Sequence, residues 1–220
     1  MKKSVLLDLD GTLTDPYPGI SRCIVYALDK LGAPAPSAEA LKGWIGPPLK
    51  ASFAAWLKLC ESTADADRAL VLYRERFSEK GLFENEVYPG IPRLLSDLAD
   101  SGADIFLATS KPRVYAKQIL EHFELDRFFS AIHGSELDGR NSDKYDLLAM
   151  IMATEHLSAR SCIMVGDRHH DIDAARTHGI TSVGVLWGYG GKTELQEAGA
   201  DAITATVEQL KRIIVEAYSG

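Results

Sequence analysis

Cysteine is scarce: Cys23, Cys60 and Cys162 are the only three in 220 residues. They are odd in number, far apart and set among apolar neighbours. That excludes a disulfide framework and suits reduced core thiols in a cytosolic protein. No His or Lys is placed to lower a thiol pKa, which argues against a cysteine nucleophile. Positive charge is short as well. Lys and Arg number 24 against 31 Asp and Glu, for a formal net charge of −7. That balance argues against nucleic-acid backbones and anionic membranes, which need concentrated cations. No uninterrupted apolar stretch is long enough to cross a bilayer. The start, Met1-Lys2-Lys3-Ser4-Val5, carries two lysines, but acidic residues interrupt the apolar run almost at once, so it does not read as a secretion signal. There is no internal repeat and no low-complexity tail. What is present is 46% hydrophobic content, enough to bury the core of one large domain or two modest ones.

The pattern along the chain predicts an α/β fold interrupted by a helical insertion. Val5-Leu6-Leu7 reads as a fully buried parallel strand. Asp15-Pro16-Tyr17-Pro18-Gly19 then breaks the structure. From about 16 to 85 the spacing predicts four helices, near 20–31, 37–43, 48–61 and 64–80, with no strand before Val87. After Tyr88-Pro89-Gly90, strands and helices alternate. Strands are expected at Ile105–Ala108, near Ala131-Ile132, at Cys162–Val165 and at Ser182–Leu186. Helices are expected over 91–101, Pro112–Phe123, Ser142–Leu157 and Asp171–His178, and at the carboxyl end. Alternation of this kind implies a Rossmann-like parallel sheet with right-handed crossovers. The domains are accordingly 1–15 with 86–220, the α/β core, and 16–85, all helical.

Chemistry-bearing residues cluster at the expected strand ends, where open α/β sheets bind ligands. The first strand runs into Asp8-Leu9-Asp10-Gly11-Thr12-Leu13-Thr14. Strand alternation would aim Asp8 and Asp10 at one spot, and two carboxylates so placed need a cation, a shared proton or a reacting partner. The second gives Thr109-Ser110-Lys111 beside a helix amino terminus, a natural oxyanion site. The third leads to Lys144, a lone cation at a helix start. The fourth gives Gly166-Asp167-Arg168-His169-His170-Asp171. Together they supply a nucleophile, a proton carrier, anion donors, a fixed positive charge and hard oxygen ligands suited to Mg²⁺.

In that order, DLDGTLTD, ATSK, Lys144 and GDRHHD resemble the motifs of the haloacid-dehalogenase superfamily of phosphotransferases. Gly43–Leu49, Tyr88-Pro89-Gly90, Gly134–Gly139 and Gly188-Tyr189-Gly190 narrow the likeness to its phosphoglycolate-phosphatase-like branch, whose small helical cap is inserted after the first motif. The resemblance implies Asp8 as nucleophile through an aspartyl-phosphate and Asp10 as acid and base. Thr109, Ser110 and Gly11 would bind phosphate, and Gly11 would also allow the tight turn of the first motif. Lys144 would neutralise both the phosphate and Asp8. It implies Mg²⁺ held by Asp8, the Asp10 carbonyl, Asp167 and Asp171, with Thr12 steadying Asp10. The substrate class implied is a small soluble phosphate ester: phosphoglycolate, or a nucleoside 5′-monophosphate as for a 5′-nucleotidase. A phosphosugar mutase shares Asp8 and Asp10 but returns the phosphoryl group to a sugar. Neither a nucleic-acid nor a membrane partner is expected.

Blander readings stand beside these. Asp171 could cap the following helix, His169 and His170 read as loop residues, and Asp173 as a solvated first-turn residue. Gly188–Gly191 reads as a turn at the rim of the site. In the helical insertion Arg22, Lys42 and Lys50 are candidates for a second anionic group on the substrate, or simply solvated helix charges. Trp44 and Trp56 read as packing residues.

Overall fold

A computed structural model describes residues 3–217. Met1 and Lys2, which entered the reading of the amino terminus, lie outside the described residues. The chain divides into two compact units, one reaching to Asp15 and resuming at Val87, the other Pro16–Glu86.

The first unit is built on a parallel sheet. Its strands are β1 (Ser4–Leu7), β4 (Asp104–Pro112), β5 (Ala131–Ser135), β6 (Cys162–Gly166), β7 (Thr181–Val185) and β8 (Ala202–Thr204), with two short strands, β2 (Thr14–Asp15) and β3 (Glu86–Val87), where the chain passes between units. The six run in the order β5-β4-β1-β6-β7-β8. All five pairings are parallel. Strand β1 is central because it is apolar on both faces: Val5, Leu6 and Leu7 are fully buried, as a strand covered by helices on either side must be. Its last residue pairs with Leu107 of β4 and Val165 of β6. The end of β1 therefore lies level with Leu107 within β4 and with Val165 near the end of β6.

Helices α5 (Ile91–Asp100), α6 (Arg113–His122), α7 (Lys144–Thr154), α8 (His169–Thr177), α9 (Lys192–Glu197) and α10 (Val207–Ala217) complete this unit. On one face Leu6, Phe106 and Met164 pack against Leu147, Leu148 and Ile151 of α7 and Ala174 and Ala175 of α8. Burial of such side chains contributes roughly 1.5–3 kcal/mol each, and it pins α7 and α8 to that face of the sheet.

Four details differ from the sequence expectation. The sheet has an extra edge strand, β8, and an extra helix, α9; the runs are three and six residues long, too short to show a period. Strand β4 runs on to Pro112, which is the N-cap of α6 and not its first turn. Helix α8 starts at His169, so the paired histidines are helical, not loop residues. Two-residue strands flank the helical unit where no strand was expected.

The second unit holds α1 (Tyr17–Lys30), α2 (Ala38–Lys42), α3 (Leu49–Leu59) and α4 (Ala66–Glu79). Ser37 and Asp65 cap α2 and α4 by accepting from the Ala40 and Arg68 backbone N–H groups, a service worth about 1 kcal/mol each. An aromatic column fills the centre. Phe53 meets Tyr73 edge-on at 6.4 Å and Tyr73 stacks on Phe77 at 5.2 Å. Trp44 packs edge-on against Phe53, and Trp56 donates its Nε1–H to the Pro34 carbonyl.

Candidate active site

Asp8 follows β1 directly, and its backbone N–H continues the ladder to Val165 O at 3.0 Å. That bond fixes where its carboxylate lies. The chain then turns sharply. Leu9 O accepts from the N–H groups of Thr12, Leu13 and Thr14, and Gly11 N–H donates to Thr14 O. Gly11 sits at φ +84°, and a Cβ there would collide with the Asp167 carboxylate. Glycine is needed for both reasons. Its N–H is used inside the turn, and its lack of a side chain admits Asp167.

The second cluster member comes from 136 residues away. Lys144, at the start of α7, is 5% exposed. Its Nζ lies 3.0 Å from Asp8 Oδ1, 2.9 Å from Ala108 O and 2.7 Å from Asp171 Oδ1. Burial alone would pull this ammonium's pKa down, but the carboxylates of Asp171 and Asp8 outweigh it and hold it above its ordinary value. Lys144 is thus a buried ammonium held between two carboxylates.

Asp167 and Asp171 close the group. Both are 1% exposed. Asp171 occupies the first turn of α8 and accepts from Arg168 N–H, so the capping and site readings hold together. Burial pushes its carboxyl up to about 6, Lys144 pulling against it and Asp8 adding to it. Asp167 Oδ2 accepts from Tyr189 N–H at 2.7 Å, whereas Oδ1 is buried with no hydrogen-bond partner among the described residues. Burial lifts the Asp167 carboxyl well above the usual range, reinforced by the charges of Asp171 and Asp8. Carboxylate oxygens of Asp8, Asp167 and Asp171 lie within 4.8 Å of one another.

This trio fits a divalent cation. Three carboxylates and one ammonium leave two negative charges in a water-poor corner, and Asp167 Oδ1 lacks the partner that a buried oxygen ordinarily has. All the donors are hard oxygens, the set Mg²⁺ prefers.

Asp10 stands slightly apart. Its carboxylate is clasped by Lys111 Nζ at 2.8 Å from Oδ1 and 2.6 Å from Oδ2. Burial raises its pKa, Lys111 opposes that, and Asp8 adds to it. The expectation that Thr12 steadies Asp10 is corrected: the Thr12 hydroxyl is buried without a partner, and Lys111 takes that role. Sequence reading placed Lys111 beside the site but gave it no part. The register shows how it gets there. Thr109 pairs with Gly134, but the next pair is Pro112 with Ser135, so β4 bulges at Ser110-Lys111 and re-aims the lysine.

Thr109 is buried at 2% exposure, and its Oγ1 accepts from Lys111 N–H. Ser110 O accepts from Ser135 Oγ. These hydroxyl-bearing residues therefore lie at the end of β4 next to β1, as the spacing implied. The His169 and His170 rings are tilted by 44° with centroids 3.8 Å apart, and His169 Nδ1 lies 3.2 Å from Asp173. In the helical unit the three candidate cations are exposed and already paired: Arg22 with Glu84, Lys42 with Glu39 and Lys50 with Asp67. Among the described residues no helix is long and apolar enough to cross a membrane.

The chain is also similar to known proteins. Residues 5–185 match the family model described as haloacid dehalogenase-like hydrolase. A protein of Pseudomonas aeruginosa named 5′-nucleotidase is 42% identical over 211 residues, covering 96% of this chain and 95% of that one. The tyrosine-protein kinase PtkA of Mycobacterium tuberculosis is 38% identical over 212 residues, 96% of this chain and 72% of that one. The crystal structure of a "predicted phosphatase from Clostridium acetobutylicum" superposes with a TM-score of 0.90 at 43% identity, covering 98% of this chain and all of that one.

Proposed function

The chain belongs to the haloacid dehalogenase-like hydrolases, and from that membership we propose that it is a Mg²⁺-dependent phosphomonoesterase working through an aspartyl-phosphate on Asp8. The observation that carries this reading is the buried Lys144 ammonium joined to both Asp8 and Asp171, beside an Asp167 oxygen that has no partner. Asp8, Asp167 and Asp171, with the Asp10 carbonyl, would hold Mg²⁺, which offsets the repulsion between an anionic nucleophile and an anionic phosphate.

An Asp8 carboxylate oxygen attacks phosphorus in line, and the P–O bond to the leaving group breaks. Asp10 gives its proton to the departing oxygen. It then takes a proton from the water that attacks the phosphoaspartate, releasing phosphate and restoring Asp8. A carboxyl that must both give and accept a proton works best when lifted above the ordinary range, as burial lifts Asp10. Thr109 and the Ser110 backbone N–H hold phosphate oxygens, and Lys144 neutralises the phosphate and Asp8 together. An acid at Asp10 favours phosphate-ester chemistry over carbon–halogen cleavage.

The substrate class is a small soluble phosphate monoester. The Pseudomonas aeruginosa relative supports nucleoside 5′-monophosphates; the motif segments that resemble the phosphoglycolate-phosphatase-like branch support phosphoglycolate. The helical unit Pro16–Glu86 is read as the cap that selects between them. Three free cysteines support a reducing, cytosolic setting.

A phosphate-release screen over nucleoside monophosphates, phosphoglycolate and sugar phosphates, with Mg²⁺ or with chelator, tests the proposal. Release that needs Mg²⁺ supports it. Transfer to a second sugar without free phosphate would indicate a mutase. The mycobacterial kinase relative makes one further arm informative: ATP-dependent labelling of protein tyrosine without ester hydrolysis would overturn the hydrolytic reading.

A further inference from the structure

We propose that the Gly188-Tyr189-Gly190 turn is the positioning element of Asp167, fixing one carboxylate oxygen so that the other is presented to the cation; this rests on the Mg²⁺ reading above. Tyr189 N–H donates to Asp167 Oδ2 at 2.7 Å, and Oδ1 is left buried and unpaired. One oxygen is satisfied by the protein and one is not, an asymmetry that sets the ligating direction.

The turn is pressed against Asp167 closely enough that side chains are excluded on both sides of Tyr189. A Cβ at Gly188 would collide with the Gly11 carbonyl oxygen and with the Asp167 side chain, and a Cβ at Gly190 would collide with the Asp167 carbonyl oxygen. Neither glycine has a left-handed φ. Their requirement is therefore steric, a matter of close approach and not of backbone conformation. Two anchors hold the turn down. Trp187 Nε1–H donates to Thr12 O at 3.1 Å, and the Tyr189 hydroxyl donates to Asp15 Oδ1. Both anchor points lie just beyond the Asp8–Asp10 segment, so the turn ties the Asp167 carboxylate to the loop that carries the nucleophile. No base or acid is needed from Tyr189 itself; its backbone amide is the working group. Outer partners that orient metal ligands in this manner are worth about 10–100-fold in metal affinity.

Calorimetric titration of the full chain with Mg²⁺ alone, alongside melting in chelator, tests this. Gly188→Ala should weaken Mg²⁺ binding about 10–100-fold while the melting temperature in chelator stays close to wild type. Tyr189→Phe and Trp187→Phe each keep the amide and lose one anchor, and both should bind Mg²⁺ more weakly than wild type but more tightly than Gly188→Ala. Raising Mg²⁺ should restore phosphate release in Gly188→Ala. Gly188→Ala binding Mg²⁺ as tightly as wild type would overturn the proposal, as would equal losses in all three variants that track their melting temperatures. If Gly188→Ala does not fold, Trp187→Phe carries the test, and unaltered affinity there overturns it. Wild type that releases phosphate yet binds no Mg²⁺ would remove this inference and the cofactor while leaving the esterase reading intact.

Discussion

Lys144 and Lys50 show the contrast between the two units of this protein. Lys144 is almost wholly buried and touches two carboxylates and a carbonyl. Lys50 has a side chain 58% exposed and forms a surface ion pair with Asp67. In the α/β unit the acids at the strand ends outnumber the cations and are shut away from water. In the helical unit Arg22, Lys42 and Lys50 are each matched locally at the surface. Uncompensated buried charge is costly to fold, so its concentration in one unit marks where a ligand of opposite charge is expected to bind. Exposed matched pairs carry no such cost and no such message.

Lys144→Met breaks this contrast most severely. It leaves Asp8 and Asp171 buried without their cation, and we expect loss of turnover together with about 3–5 kcal/mol of stability, read by phosphate release and by denaturant melts. Asp10→Asn should lower the rate about 10²–10⁴-fold with little change in the melt. Lys111→Met acts through the same carboxyl. Without its opposing charge the Asp10 pKa rises further, so the alkaline limb of kcat/KM should move to higher pH.

The acidic trio makes a signed prediction about pH. Asp167 and Asp171 have carboxyl pKa values raised by burial, Asp171 to about 6. The folded state therefore binds these protons more tightly than the unfolded chain, and stability without metal should fall as pH rises from the ordinary carboxylate range through the raised values. Mg²⁺ replaces the protons, so its stabilisation, followed as a melting-temperature increase, should be larger at pH 7.5 than at pH 5. Equal shifts at both would mean the trio is not the binding site. The smallest effects should come from the helical unit: Lys50→Ala and Lys42→Ala should change stability by less than about 0.5 kcal/mol. If either changes KM for one substrate only, the surface pairs take part in selection and the contrast drawn here is too sharp.

Much of the frame was legible because its signals are local. The apolar run before Asp8, the alternation after Tyr88 and the strand-end motifs each lie within a few consecutive residues. The reason given for pairing Asp8 with Asp10 was nevertheless incomplete. Strand β1 ends at Leu7, and Asp10 forms a separate bridge with Thr14; the turn, not strand alternation, brings the two together. What stayed hidden was tertiary. Lys111 meets Asp10 across 101 residues through a bulge, and Tyr189 meets Asp15 across 174. No period or spacing encodes such pairings. Strand β8 and helix α9 were missed because they are too short to show a repeat.

The most direct test of the account is to quench the enzyme with acid during turnover and locate phosphate by mass spectrometry of the amino-terminal peptide. The account predicts an acid-stable, hydroxylamine-sensitive phosphoryl group on Asp8 that is absent, together with turnover, in Asp8→Asn. Undiminished phosphate release by Asp8→Asn, or a phosphoryl group trapped on any other residue, would contradict it.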